Sequence, residues 1–290
     1  MPNAKLPISV IILSRNEEAH IARALRSVAF AAEILVIDGE SSDQTRVIAE
    51  KLGAKVLVRP WPGFREQRNF SLGAAQHEWV LVLDADESVS PQLEAWLRDF
   101  FVRGGDTSRP SGYKIHRREY FLGEAVTGAC WNPSYQDRFF ARSKAKYVGE
   151  IHEYPLVEGG LERAPEDAII EHNPRVNVES IIEKMNRYTT VEAWDRFQLG
   201  ERTNFLHMGV TFFSTWWKNY FYYKAYRDGA RGFVVALLEA ISRTVRHIKL
   251  WQIQQMKAEN REGLLISPER ALKAGASLHR QLETTKVENE

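Results

Sequence analysis

The sequence predicts an α/β protein: a mostly parallel open sheet with flanking helices, plus a helical C-terminal appendage. Three observations predict it. Short β-branched apolar runs alternate with amphipathic helical stretches over the first hundred residues. Polar and acidic clusters follow three of those runs directly. From Asn177 onward, apolar residues recur at helical spacing instead. Strand–helix alternation implies βαβ units and a parallel sheet. Ligands of such sheets bind beyond the carboxyl ends of the strands.

Ile8 to Leu13 reads as a buried strand, followed by Ser14-Arg15-Asn16-Glu17-Glu18 and a helix carrying Ile21, Ala24, Leu25 and Val28. Asn16 is the expected N-cap, with two carboxylates in the first turn. Ile34 to Ile37 is a second strand ending at Asp38. Turn residues 39–43 and a short helix with Val47, Ile48 and Leu52 follow. Val56 to Val58 is a third strand, and Pro62-Gly63 precedes a helix from about Phe64 to Ala75. Trp79 to Leu83 is a fourth strand, running into Asp84-Ala85-Asp86-Glu87. Ser90-Pro91 opens the next helix, serine as N-cap and proline at the first helical position. Between about 105 and 175 the pattern loosens, with strand-like pieces at 113–116 and 138–142. Ile181, Ile182, Met185 and Tyr188 then share a helical face. The expected domains are 1–175 and 176–290.

The 290 residues carry 39 basic and 38 acidic side chains, a formal net charge of +1, which gives no global argument for nucleic acid. Cys130 is the sole cysteine, so an internal disulfide is impossible and a reducing compartment is expected. The N-terminal residues lack a signal-peptide pattern, and no apolar run approaches the ~18–20 residues that span a bilayer. The expectation is a cytoplasmic protein, soluble or lying on a membrane.

Asp84 and Asp86 are the first chemical signal. Hard divalent cations such as Mg²⁺ and Mn²⁺ take oxygen ligands, and a diphosphate supplies the rest of the shell. An isolated Asp-x-Asp occurs by chance in surface loops, but this one follows a buried strand with Asp38 expected beside it. Asp38 suits either a turn residue bonding its own backbone or an acceptor for a nucleobase N–H or ribose hydroxyls. Arg65, Arg68 and Asn69 share a helix face, either solvated or clamping a diphosphate.

The segments ISVIILSRNEE, ILVIDGESSDQT, GFREQRNFSLGAA, WVLVLDADE and GEIHE, in that order, resemble inverting nucleotide-sugar glycosyltransferases of family 2, in particular bacterial lipopolysaccharide-core glucosyltransferases. The resemblance covers about residues 6–260. It implies a GT-A fold, a nucleotide-diphosphate sugar donor (UDP-linked most often) and a divalent metal, Mg²⁺ or Mn²⁺. It places Ser14, Asn16, Glu17 and Asp38 around the nucleoside, Arg68 near the nucleotide or its phosphates, and Asp84 and Asp86 in the metal motif; Arg65 is counted with the donor-binding residues on its helical spacing. One departure stands out: the usual Asp-Ser-Gly-Ser or Asp-Asp-Gly-Ser turn reads Asp38-Gly39-Glu40-Ser41 here.

An inverting transfer needs a group to take the acceptor hydroxyl proton. In Gly149-Glu150-Ile151-His152-Glu153 the resemblance favours Glu153 as base and His152 as metal or phosphate contact; a plain charged hairpin is the alternative. His172, before a turn, is a weaker metal candidate and stays outside the expected site. Cys130 reads as a packed small residue.

Residues 205–233 hold 11 of the chain's 32 aromatics, and 201–260 carries nine Lys/Arg against four Asp/Glu. Val234, Leu237, Leu238, Ile241, Val245 and Ile248 form one helical face, with Arg243, Arg246 and Lys249 toward its polar side. This fits an interfacial membrane helix; packing onto the catalytic domain is the competing explanation. Taken together, the expectation is a metal-dependent hexosyltransferase acting on a lipid-linked saccharide, peripheral on the inner face of the plasma membrane. The alternatives are a sugar-nucleotide-binding protein without turnover, or a glycosyltransferase with a different glycan or a polypeptide acceptor. No nucleic-acid partner is expected.

Overall fold

The computed structural model describes residues 4–105, 110–149, 153–174, 177–259, 261, 263, 265–268 and 270–271. The chain divides into two compact units, Met1–Ala125 with Trp131–Pro174, and Val126–Cys130 with Arg175–Glu290.

The first unit runs β1 (Leu6–Ser14), α1 (Ile21–Ser27), β2 (Ala31–Asp38), α2 (Thr45–Lys51), β3 (Lys55–Val58), α3 (Phe64–Ala74), β4 (Trp79–Asp84), β5 (Glu87–Val89) and α4 (Pro91–Val102). It continues with β6 (Gly112–Phe121), β7 (Glu124–Ala125), β8 (Ser134–Ala141), β9 (Ala145–Val148), β10 (Tyr154–Val157), β11 (Leu161–Arg163) and β12 (Ile169–His172). The large sheet has the order β3-β2-β1-β4-β8-β6-β12-β5, with β7 and β11 also pairing β6. β3, β2, β1 and β4 are mutually parallel, whereas β8 runs antiparallel between β4 and β6. β9 and β10 form a separate two-stranded antiparallel sheet.

Both faces of the parallel strands are covered, which is why they read as unbroken apolar runs. Ile8, Val10 and Ile12 pack with Leu81 and Leu83 against Ile21 and Leu25 of α1 and Leu93 and Leu97 of α4. Ile11, Leu13, Leu35, Ile37, Val80 and Val82 pack on the other side with Leu72 of α3 and Tyr147. Ser90 caps α4 as expected: its hydroxyl accepts from Leu93 N at 3.1 Å, and Pro91 opens the helix.

The start of α1 differs from the expectation. The helix begins at Ile21, five residues after Asn16, and no carboxylate lies in its first turn. Asn16 is no N-cap. Its backbone is left-handed, at φ 55°, and its Oδ1 accepts from Ser42 N at 2.9 Å. A partner 26 positions away has displaced the local one.

The second unit contains α5 (Val178–Gln198), α6 (Phe205–Trp217) and α7 (Gly229–Ala258), with a π-helical turn at Lys218–Tyr222 and a 3₁₀ turn at Ala225–Asp228. Asn177 and Asn204 cap α5 and α6, accepting from Ser180 N at 2.9 Å and His207 N at 3.0 Å. The fully buried face of α7 is Gly232, Val235, Ala236, Ala240, Leu250 and Ile253. None of the six apolar residues expected to share a face is among them. The small residues at 232, 236 and 240 stand four apart on one face, allowing close approach. At Gly232 an added Cβ would lie 1.8 Å from Ala225 O. On α5, Ile182 and Tyr188 remain exposed, and Thr189, Val191 and Ala193 are buried. Cys130 is half-buried, and its N–H donates to Asn219 Oδ1 at 2.8 Å. Burial, then Glu239, pushes its thiol up to about 11.

Candidate active site

Strand register assembles the site. Ser14 pairs with Asp38, and Leu13 pairs with Asp84, at the carboxyl ends of β1, β2 and β4. Side chains alternate along a strand, so Asp38 and Asp84 leave the same end of the sheet on opposite faces.

On Asp84's face the carboxylate is gripped by two arginines. Arg68 Nη2, from α3, donates to Oδ1 at 2.8 Å, and Arg138 Nη2, from β8, donates to Oδ2 at 2.7 Å. The same Arg138 nitrogen donates to Glu87 Oε1 at 2.7 Å, and Glu87 Oε2 accepts from Asp84 N at 2.9 Å. Arg117 Nη1 stands 3.4 Å from Glu87 Oε1. Glu87 is fully buried, and both Arg68 and Arg138 are nearly so. Burial alone would favour the neutral acid at Asp84, but Arg138 and then Arg68 outweigh it and hold the carboxyl well below its usual range. At Glu87 burial prevails and raises the pKa, despite Arg138.

A cavity of about 320 Å³ opens beside this cluster, lined among others by Arg68, Asp84, Arg117, Arg138, Tyr147 and Glu153. Arg68 Nη1 and Arg138 Nε are buried with no hydrogen-bond partner. Glu153 Oε1 lies 3.9 Å from Arg68 Nε, with its side chain 19 % exposed. Asn69 holds the wall in place: its Nδ2 donates to Tyr147 O and its Oδ1 accepts from Tyr147 N, both at 2.9 Å. Arg65 pairs with its chain neighbour Glu66 at 2.6 Å.

Asp86 belongs to a second cluster. Its Oδ2 lies 3.1 Å from His172 Nε2, and His172 Nδ1 lies 2.5 Å from Glu119 Oε2. β12 places the imidazole there, because His172 registers against Glu87 on one side and Glu119 on the other. Burial opposes charging His172, but hydrogen bonds to Asp86 and Glu119 overcome it and push its pKa up to about 9. Arg23 Nη2 ties the two loops together, donating to Asp86 O at 2.5 Å and Asn173 O at 2.8 Å.

On the opposite face, Asp38 is fully buried. Its Oδ1 accepts from Ser41 N at 2.9 Å and its Oδ2 from Ser41 Oγ at 2.5 Å; Ser14 Oγ is 3.4 Å away. Asn16 and Glu17 continue this seam. Their amides donate to Ser41 Oγ at 2.9 Å and Thr45 Oγ1 at 2.8 Å. Glu40 is exposed and left-handed at φ 62°.

The structure therefore brings Arg68, Asp84 and Glu153 to one cavity, Asp86 to His172, and Ser14, Asn16, Glu17 and Asp38 to one loop seam. Glu150 and His152 lie outside the described residues. Arg138 and Glu119 carry no motif signal and became visible only through strand pairing, and Arg23 only through its hydrogen bonds from α1; Glu87 closes the acidic cluster after the fourth strand, but its role as buried partner of Arg138 was not legible there. His172 carried a weak one, the imidazole at a strand end. Among the described residues no three His, Cys, Asp or Glu side chains form a ready metal cluster. One carboxylate and one imidazole, Asp86 and His172, do face each other. That donor pair suits Mn²⁺, with diphosphate oxygens and water completing the shell.

Residues 9–131 match the family model described as glycosyl transferase family 2. Among curated proteins the chain is 27 % identical over 261 residues to the lipopolysaccharide core biosynthesis glycosyltransferase LpsC of Rhizobium meliloti, covering 88 % of this chain and 95 % of that one. It is 29 % identical to an uncharacterized glycosyltransferase of Rickettsia typhi, covering 87 % and 89 %. Among solved structures, a glucosyl-3-phosphoglycerate synthase from Mycobacterium tuberculosis in complex with Mn²⁺, UDP and glucosyl-3-phosphoglycerate matches at 26 % identity with a TM-score of 0.32. That match covers 39 % of this chain and 44 % of the synthase.

Proposed function

We propose that the protein transfers a hexose, with inversion, from a UDP-linked donor to a hydroxyl of a lipid-anchored saccharide such as a lipopolysaccharide core. The observation that carries this reading is the Asp84–Glu87 turn. One carboxylate, Asp84, is fixed by two buried arginines beside a cavity, and the other, Asp86 two residues on, meets the imidazole of His172. The core acceptor is supported by the likeness to LpsC.

In this reading Asp86 and His172 hold a divalent metal, which when bound offsets the charge of the departing diphosphate. Arg68 and Arg138 orient Asp84, and their unpartnered N–H groups meet anionic oxygens of the donor. Arg65 assists at the phosphates. The seam of Ser14, Asn16, Glu17 and Asp38 shapes the nucleoside end. Glu153 acts as general base. The acceptor oxygen bonds to the anomeric carbon as the bond from that carbon to the diphosphate oxygen breaks, and the hydroxyl proton passes to the Glu153 carboxylate. A lipid-anchored acceptor calls for a cytoplasmic enzyme working peripherally at a membrane; no described helix is long and apolar enough to cross one.

The test is transfer or UDP release from a panel of UDP-hexoses with Mn²⁺ or Mg²⁺. Asp86→Ala is expected to abolish metal-dependent turnover, and undiminished turnover would refute the reading. Glu153→Gln is expected to lower kcat by about 10²–10⁴ with donor affinity retained. Loss of donor binding at unchanged kcat would remove Glu153 from the base role.

A further inference from the structure

α6 is apolar on both sides, yet only one side is packed. Thr215 and Asn219 are buried, and Met208, Thr211, Phe212 and Trp216 are partly covered. The other side carries Leu206, Val210, Phe213 and Trp217, which are 64, 65, 69 and 61 % exposed. Their spacing of four, three and four residues makes one continuous stripe. Phe221 and Tyr222 extend it through the π-helical turn, both exposed. A helix apolar all round belongs in a core or in lipid, and the second unit covers half of this one.

Charge decides what covers the rest. From Arg202 to Arg227 the chain has four Lys/Arg and no Asp or Glu. Lys218, Lys224 and Arg227 are exposed around the stripe's C-terminal end. Asp228, the next carboxylate, is turned inward, accepting from Thr127 N at 3.0 Å and Gly128 N at 2.8 Å. A second copy of this surface would oppose cations to cations. An anionic bilayer complements them, and exposed Trp217, Tyr222 and Tyr226 suit the headgroup layer.

We infer that the outer stripe of α6, and not the apolar face of α7, is a docking surface for an anionic lipid bilayer, with the helix lying in the interface. The inference deepens the proposed function and rests on it only for the reason a membrane is needed. The partner is the lipid surface itself.

The test is flotation of the full chain with phosphatidylcholine vesicles, with and without phosphatidylglycerol, at low and high salt. The protein is expected to float with the anionic vesicles, less so at high salt. F213S/W217S is expected to lower partitioning at least about tenfold, and Lys218→Gln and Lys224→Gln about fivefold each. Ile248→Ser on α7 is expected to leave it unchanged. Circular dichroism and the thermal transition check the fold of each variant. If F213S/W217S does not fold, Leu206→Ser and the two lysine variants decide the matter alone. Failure of the wild type to float with anionic vesicles overturns the inference, as does wild-type flotation of the variants. So does a concentration-dependent dimer, seen in sedimentation and lost in F213S/W217S, without vesicle uptake. UDP release without lipid is expected to be equal in wild type and F213S/W217S. Its absence in both would refute the transferase reading and leave the flotation result standing.

Discussion

Arg138 carries an unusual load for one side chain. A single nitrogen serves two carboxylates, one of them fully buried. Breaking a buried ion pair from one side strands the other charge, at a cost of about 3–5 kcal/mol. Arg138→Met is expected to lose stability of that order in urea titrations, and Arg138→Lys less, because it keeps the charge but loses the planar fork. The sign with pH follows from Glu87. Burial already raises its folded pKa above the ordinary carboxylate range, and losing Arg138 raises it further. Protonation at low pH relieves the stranded charge, so the Arg138→Met deficit is expected to grow as pH rises through the raised folded pKa of Glu87, not through the ordinary carboxylate range. Glu40 makes the opposite case. It occupies a left-handed position at φ 62° with its side chain in solvent. A left-handed non-glycine residue costs roughly 1–2 kcal/mol, partly returned by the lower unfolded-state entropy of a side-chain-bearing residue. Glu40→Gly is expected to stabilise the protein by about 0.5–1 kcal/mol in thermal unfolding. This also explains how the turn keeps its form with Glu40 in place: the strain sits in one exposed residue, and Ser41 and Asp38 keep their hydrogen bonds.

Among the elements, close approach at one glycine organises the helical unit. At Gly232, a Cβ would meet the Ala225 carbonyl oxygen at 1.8 Å and its carbon at 2.7 Å, both backbone atoms that cannot rotate away. Gly232→Ala is expected to destabilise the second unit by about 3 kcal/mol, at the upper end for overpacking, read as a lowered thermal transition. Gly209→Ala on α6, where nothing lies within 4 Å, is the control expected to be neutral or stabilising. How far the sequence disclosed these elements depended on how local their causes are. The strands of the parallel sheet were legible because both faces are buried, so each is a short unbroken apolar run. The start of α4 was legible because Ser90 and Pro91 act within one turn. The start of α1 was not, since Asn16 answers to Ser42. The buried face of α7 was hidden because Gly232, Ala236 and Ala240 mark it by small size, and a hydrophobic stripe points elsewhere. In the site, Asp84 and Asp86 announced themselves by following a strand. Their partners Arg138 and His172 are set by the register of β8 and β12, which no local pattern encodes.

At the scale of the molecule, two units with separate cores give a thermodynamic handle. All described candidate site residues belong to the first unit. A ligand that binds only the folded site stabilises by about 2.7 kcal/mol at a hundredfold excess over Kd. Calorimetry with a UDP-hexose and Mn²⁺ is expected to raise the transition of the first unit and leave that of the second unmoved. The proposed metal site has only Asp86 and His172 as protein ligands, so Mn²⁺ alone is expected to shift it far less than Mn²⁺ with UDP. An equal shift by the metal alone would argue for a fuller protein ligand set than this pair.

The main path of the large sheet ends in two short strands, β3 and β5. β3 contributes four residues and begins at Lys55; β5 contributes three, Glu87–Val89, of which Glu87 and Val89 are buried. Short, charged margins give a stranger's strand little to zip onto. Crowding this protein in a tube should therefore not produce fibrils grown edge on edge. Whatever clumping occurs will be amorphous, softened by mild detergent, and traceable to the greasy ridge running from Leu206 to Tyr222.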